Sequence, residues 1–203
     1  MRQRLSAAGI AAPVDGEREF QLGGNRVFAF AGDSIVEIGE DGREVWKIKT
    51  PEGAGSALVQ GDNVLYAIGT FFDGCSSEGD CEFVRPHPVI AAFHSADGSP
   101  VAEFGDGGVA RPPFEGTADV LVPRNGALLL AGTVPGPGWY DGETDLYFAR
   151  LSAHGEVLKG PSVHNAMFYD SVGAIADLPT GPAAACRAWD GSRGWPYLLR
   201  VAE

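Results

Sequence analysis

Basic residues and long apolar runs are both scarce in this chain. Its 203 residues include 15 lysines and arginines against 27 aspartates and glutamates, which gives a formal net charge of −12. Duplex nucleic acid and anionic membranes are bound through basic patches, so neither is expected as a partner. No stretch approaches the roughly 18 apolar residues of a membrane-spanning helix, so no membrane insertion is expected. An acidic surface of this kind suits cations or cationic groups.

Cysteine is rare as well, with three residues in the chain. Cys75 and Cys81 bracket a short polar segment, so a local disulfide between them is geometrically easy. Such a bond predicts an oxidising compartment, extracellular or periplasmic, although the chain does not begin with a clear signal peptide. The spacing of this pair is not that of two zinc ligands. Cys186 lies in an apolar run and is interpreted as a buried small hydrophobe.

Sustained helical periodicity is missing too, whereas turn-forming residues are abundant. The chain has 29 glycines and 14 prolines, and they separate short runs rich in β-branched and aromatic residues. This pattern is typical of strands joined by turns. A strand, a tight turn and a second strand recur at residues 19–32, 56–69 and 118–132, and more weakly at 173–186. The recurrence indicates an internal repeat.

A second hairpin follows each of the first three copies. Its turn glycines, Gly42, Gly98 and Gly155, lie 56 and 57 residues apart, and glycine supplies the positive φ that a close hairpin needs. The unit therefore has four strands, A to D in chain order. One such unit cannot bury its apolar face alone and must stack on its neighbours, which predicts an all-β fold: a β-propeller or partial propeller of about four four-stranded blades. A β-sandwich is the alternative.

The predicted blades cover residues 19–54, 55–115, 116–170 and 171–203. The last blade ends before its D strand. Residues 1–18 are either a leader or a closing strand that completes this blade. The missing strand could also come from a longer parent chain, and we favour a fragment of a larger propeller.

Two kinds of segment carry a family resemblance. Residues 27–50, VFAFAGDSIVEIGEDGREVWKIKT, resemble the repeat of quinoprotein-like (PQQ-like) propellers in their apolar strand, acidic-Gly turn and Trp-Lys-Ile-Lys ending. Residues 95–108 and 126–133, SADGSPVAEFGDGG and GALLLAGT, are similar to the delta-60 repeats of secreted bacterial propellers. The resemblance covers about residues 19–203 and implies a scaffold with interaction surfaces rather than a particular activity. Quinone-dependent dehydrogenases of this fold need a complete propeller and usually an adjacent-cysteine disulfide, which is absent here, so no quinone cofactor is expected.

The connections between B and C strands are expected to be long, at residues 71–88, 134–145 and 189–196, whereas the turns at the opposite end are short. Binding sites usually lie on long loops at one end of a rigid scaffold. These loops combine aromatic and acidic residues, and the candidate ligand-binding residues are Phe72, Asp73, Trp139, Tyr140, Asp141, Asp145, Trp189, Asp190 and Trp195. Aromatic faces beside carboxylates can stack a sugar ring or hold an organic cation, and clustered oxygens can take calcium. In the plainer interpretation, the aromatic rings anchor their own loops and the acids are solvated.

Two function classes follow, since the sequence carries no recognisable catalytic motif and no catalytic residue is assigned. A non-catalytic module would bind a ligand, such as a glycan or a protein, through the long-loop face, with calcium as its one candidate cofactor. A propeller hydrolase or other metal-dependent enzyme would instead need acids that converge on the central channel. The A strands, which line that channel, offer Asp119 and Asp177 as weak metal candidates. Two acids in neighbouring blades supply too few ligands for a typical metal site, so the non-catalytic binding module is favoured over the metal-dependent enzyme.

Overall fold

The computed structural model describes residues 20–23, 26–73, 85–136, 143–165, 169–178 and 181–200. All regular secondary structure in these residues is β-strand, and neighbouring strands pair antiparallel except at one contact. The prediction of an all-β fold is therefore confirmed. Nowhere in the described ranges is there a helix with the length and apolarity of a membrane span.

The strands form four consecutive units. The first unit contains β1 (Phe20–Gly23), β2 (Arg26–Ala31), β3 (Ser34–Ile38) and β4 (Glu44–Lys49). The second contains β5 (Ala57–Gln60), β6 (Val64–Asp73), β7 (Arg85–His94) and β8 (Val109–Ala110). The third contains β9 (Val120–Arg124), β10 (Ala127–Pro135), β11 (Thr144–Ser152) and β12 (Val157–His164). The fourth contains β13 (Tyr169–Leu178), β14 (Gly181–Trp189) and β15 (Gly194–Arg200).

Within each unit, strands that follow one another in the chain are neighbours in the sheet. One parallel contact, between Thr144 of β11 and Tyr169 of β13, joins the third and fourth units into a seven-stranded sheet. Among the described residues, no strand pairing closes the units into a ring or a barrel.

The three turn glycines have the backbone conformation that the sequence predicts. Gly42, Gly98 and Gly155 have φ values of +76°, +73° and +82°, in the region that favours glycine. Gly98 has a second constraint, because a Cβ at this position would lie 2.7 Å from Cε3 of Trp46 in the first unit. The turn of one unit thus packs directly against the last strand of the unit before it.

The core lies between the units, because successive residues of a strand point to opposite faces of its sheet. In the second unit, odd-numbered residues such as Leu65 and Val89 pack against Phe28 of the first unit. Even-numbered residues of the same strands, such as Ile68 and Ile90, pack with residues of the third unit. A third cluster joins the third and fourth units through Ala131, Leu146, Phe148, Val172, Ala184 and Cys186. The units therefore stack face to face in chain order.

The second unit departs from the predicted hairpin at 89–104. Residues 101–104 form a turn rather than a strand, and the fourth strand of the unit is β8, which pairs with β7. Phe104 is buried, with its ring 5.8 Å from that of Tyr66. Glycines with positive φ at 105, 107 and 108 then reverse the chain. The burial of the Phe104 ring determines the path of the chain here. The alternation of apolar and polar residues that predicts strands does not predict this path.

The connections predicted to be long are shorter than expected. β6 and β7 continue as paired strands as far as Asp73 and Arg85, so seven of the 18 residues of the predicted loop 71–88 are sheet. In the fourth unit, β14 and β15 are joined by residues 190–193 alone, where a loop from 189 to 196 was expected. Pairing with the neighbouring strand extends each of these strands beyond the residues whose apolar pattern predicts a strand.

Candidate functional site

The connections that follow β2, β6, β10 and β14 lie at one end of the stacked units, which we call the loop end. Antiparallel order places the connections between successive units at this same end, and the remaining hairpin turns at the opposite end, the turn end. Of the predicted ligand-binding residues, Phe72, Asp73, Asp145, Trp189, Asp190 and Trp195 lie at the loop end. Trp139, Tyr140, Asp141, Cys75 and Cys81 fall outside the described residues.

Trp189 and Trp195 do not form one stacking surface. Trp195 is paired across the hairpin with Ala188, whereas Trp189 is paired with Gly194. Since adjacent residues of a strand point to opposite faces, the two indoles lie on opposite faces of the hairpin. Each indole keeps substantial exposure, 38% for Trp189 and 40% for Trp195.

The Trp189 indole has a guanidinium beside it. Cζ of Arg187 lies 5.1 Å from the centroid of the Trp189 ring, a cation–π distance. Gly194 makes this packing possible, because a Cβ there would lie 2.5 Å from Nε of Arg187. The absent side chain at position 194 thus lets the arginine lie across the hairpin beside the indole.

A cleft of about 470 Å³ opens next to this pair of side chains. It is lined by Asp170, Ser171, Arg187, Trp189 and Gly191. We call it the loop-end cleft. Its walls provide an indole ring, a guanidinium donor and a hydroxyl, since Ser171 and its cross-strand partner Arg187 share the face of Trp189, whereas the Asp170 side chain lies on the other face. This set suits a polar ligand with at least one flat face.

Asp190 is engaged in its own turn. Its Oδ1 accepts hydrogen bonds from the Ser192 and Arg193 amides at 2.8 and 2.7 Å, and from the Ser192 hydroxyl at 2.9 Å. These bonds, first that from Arg193, lower the pKa of Asp190. The carboxylate shapes the turn that borders the loop-end cleft.

Phe72 and Asp73 lie at the end of β6, on the rim of the second unit. Phe72 is 52% exposed. Oδ2 of Asp73 lies 3.1 Å from Nε2 of His87 on the paired strand. This edge therefore offers one open aromatic ring and one carboxylate that already has a local partner.

A buried polar cluster lies where the third and fourth units meet at the loop end. Asp145 and Asp170 are 8% and 3% exposed. Nδ2 of Asn165 donates to Oδ1 of Asp145 at 2.7 Å, and Oγ1 of Thr144 donates to the carbonyl oxygen of Asp170 at 3.1 Å. Burial and then the charge of Asp170 raise the pKa of Asp145, while the hydrogen bond from Asn165 partly opposes them.

Tyr197 and Cys186 complete this junction cluster. Oη of Tyr197 donates to Oδ1 of Asp170 at 3.3 Å. Burial, followed by the charge of Asp170, raises the pKa of both Tyr197 and Cys186. A raised pKa keeps the thiol protonated, which makes Cys186 a poor nucleophile. The sequence placed Asp145 among the candidates but missed Asp170, whose one signal is an acid at the second position of a strand, β13.

The two channel candidates occupy different positions in their units. Asp119 lies just before β9, where Oγ1 of Thr117 donates to its Oδ2 at 2.9 Å. Asp177 lies near the opposite end of the corresponding strand, β13, and its side chain is outside the described part. Partial burial raises the pKa of Asp119, and the Thr117 hydrogen bond partly opposes this. Within the described residues, no group of three or more His, Cys, Asp or Glu side chains is placed to hold a metal ion.

Comparison with protein families and with curated proteins gives no match to this chain. The resemblance to quinoprotein-like and delta-60 repeats therefore stays a prediction.

Proposed function

We propose that this protein is a non-catalytic binding module with the architecture of a propeller or partial propeller, and that its loop-end cleft holds a glycan. The propeller part is supported by the face-to-face stacking of the four units in chain order. It is also supported by the first strands of the units, since β5 lies beside β1 and β9, and β9 lies beside β13. Innermost strands that neighbour one another in this way are typical of blades around an axis.

The observation that carries the binding part is the composition of the loop-end cleft. A sugar ring offers an apolar face of C–H groups and an edge of hydroxyls. The Trp189 indole can stack on that face, while Arg187 supplies donors and the Ser171 hydroxyl a donor and an acceptor for the hydroxyls. The guanidinium beside the ring disfavours an organic cation, because the two positive charges would repel each other.

A binding role accounts for the acids better than a hydrolytic one. Asp145 and Asp170 are hydrogen-bonded to Asn165 and Tyr197 within the junction of two units, and Asp190 stabilises its own turn. Asp119 and Asp177 lie at opposite ends of their strands. Each of these five acids thus has a structural partner or lies apart from the others. A metal-dependent hydrolase would instead need several acids to converge on one metal ion.

A thermal-shift screen against a glycan set tests this proposal. A ligand present at about 100 times its Kd stabilises the folded state by about 2.7 kcal/mol, which raises the Tm of a chain of this size by roughly 5–10 °C. We expect Trp189→Ala to abolish the shift produced by a binding glycan. The Tm of the free protein should change little, because this indole is exposed.

Trp195→Ala is the matched control, since it removes the same side chain from the opposite face of the same hairpin. We expect this variant to keep the glycan-induced shift. A shift that survived Trp189→Ala, or that was lost equally in both variants, would contradict the assignment of the cleft.

A further inference from the structure

A second pocket lies between the third and fourth units near the turn end, on residues that the loop-end cleft does not use. Its volume is about 210 Å³. Basic side chains line part of its wall, namely Arg124, Arg150, Lys159 and His164. We call it the basic pocket. No Asp or Glu is among its described lining residues, although acidic residues outnumber basic ones by 27 to 15 in the whole chain.

Two of these side chains, an arginine and a lysine, are placed against each other by the strand register. Arg150 of β11 is the direct cross-strand partner of Lys159 of β12. Like charges in directly opposed positions destabilise a sheet. Neither side chain forms a salt bridge within the described part of the chain. An anion bound at this point would relieve the repulsion.

The rest of the wall is apolar except for Asn125 and Ser162. Leu129, which is paired with Arg150, and Phe148 contribute to it from the third unit, and Pro182 contributes from the fourth. The His164 ring packs edge-on against Phe148 with the ring centroids 5.6 Å apart. An apolar cavity of about 150 Å³ holds a benzene molecule, so the basic pocket has room for one ring that carries a charged substituent.

We propose that the basic pocket binds a small organic anion, in which one apolar ring carries a carboxylate or a phosphate group. The ring packs against Leu129 and Phe148, and the anionic group lies between Arg150 and Lys159. This site is independent of the proposed glycan site, since the two pockets share no lining residue.

Isothermal titration with four matched probes tests this proposal: benzoate, phenyl phosphate, benzyl alcohol and benzylamine. We expect at least one anion to bind at least tenfold more tightly than the neutral alcohol, and the cation to show no binding. The comparison of benzoate with phenyl phosphate identifies the preferred anionic group. Equal affinity for anions and the neutral alcohol would overturn the proposal.

Variants locate the binding within the protein. Arg150→Gln and Lys159→Gln should each weaken anion binding about tenfold or more, without lowering the Tm of the free protein, because each change removes a repulsive partner. Lys47→Gln, at an exposed position of β4, is the matched control and should bind as the wild type does. Leu129→Trp retains every charge but fills the pocket, so it should abolish binding. Anion affinity that persisted in the Arg150→Gln/Lys159→Gln double variant would refute the site.

Discussion

Among single residues, Asp145 is an acid in surroundings that disfavour its charged form. Its carboxylate is buried at the junction of two units, near the charge of Asp170, and it receives one hydrogen bond from Asn165. Burial and the neighbouring charge raise its pKa. The folded chain therefore holds a proton on Asp145 at a pH where the unfolded chain has released it.

The raised pKa predicts how Asp145→Asn changes with pH. Because the folded state binds this proton more tightly, the contribution of Asp145 to the free energy of unfolding falls as the pH rises from the ordinary value of 3.8 through the raised pKa. Asparagine is uncharged and can still accept the bond from Asn165. We expect this variant to have a higher Tm than the wild type at pH 7 and to lose that advantage towards pH 4, as measured by calorimetry.

Asp62→Asn is the control for this experiment, since Asp62 is an exposed turn residue. The Tm difference of Asp145→Asn is compared with that of Asp62→Asn at each pH. A change of about 1 kcal/mol moves the Tm of a chain of this size by roughly 2–4 °C, so the comparison is measurable. A Tm difference for Asp145→Asn that stayed constant across the series would show that its carboxylate has no raised pKa.

At the scale of elements, the turn between β7 and β8 packs against the first unit. Gly98 in this turn has positive φ and touches the Trp46 ring of the first unit. Alanine at this position should lower the free energy of unfolding by about 1–2 kcal/mol because its backbone conformation is strained. Overpacking against the Trp46 ring should lower it by about 1–3 kcal/mol more. We expect Gly98→Ala to lower the free energy of unfolding by roughly 2–5 kcal/mol in urea titration.

Gly126→Ala separates these two effects. Gly126 has nearly the same φ, +71°, but a Cβ at that position would meet no atom within 4 Å. Gly126→Ala should therefore lower the free energy of unfolding through backbone strain alone, by about 1–2 kcal/mol. Equal losses in the two variants would mean that Gly98 does not pack against Trp46.

The hairpins were the most predictable elements. The conformation of turn glycines such as Gly42 and Gly155 can be predicted from the sequence, because few other residues adopt positive φ. The path of residues 101–108 was not predictable, since it depends on the burial of Phe104 against Tyr66 from another strand. The lengths of β6 and β7 depend likewise on pairing between residues such as Phe72 and Pro86, which local composition does not show.

For the whole molecule, the sequence predicted four successive β units but not the details of the site. Strand alternation explains why the middle strands are apolar on both faces, as in the Val89–Ala92 run. The register of β14 and β15 decides that Trp189 and Trp195 point apart, and a one-residue slip would reverse the face of each side chain. Asp170 lies near Asp145 only because the third and fourth units pack together, so the spacing of the two residues along the chain could not predict that they are neighbours.

The central claim, that a glycan binds against Trp189, is tested most directly by ¹⁹F NMR of protein labelled with 5-fluorotryptophan. The chain has four tryptophans, and their signals can be assigned by single Trp→Phe variants. Titration with a glycan identified by thermal shift should move the Trp189 signal in a saturable way. The Trp46 signal should stay fixed, because that ring packs against Gly98 and Phe28 in the first two units. A Trp189 signal that did not move while the glycan was bound would contradict the account.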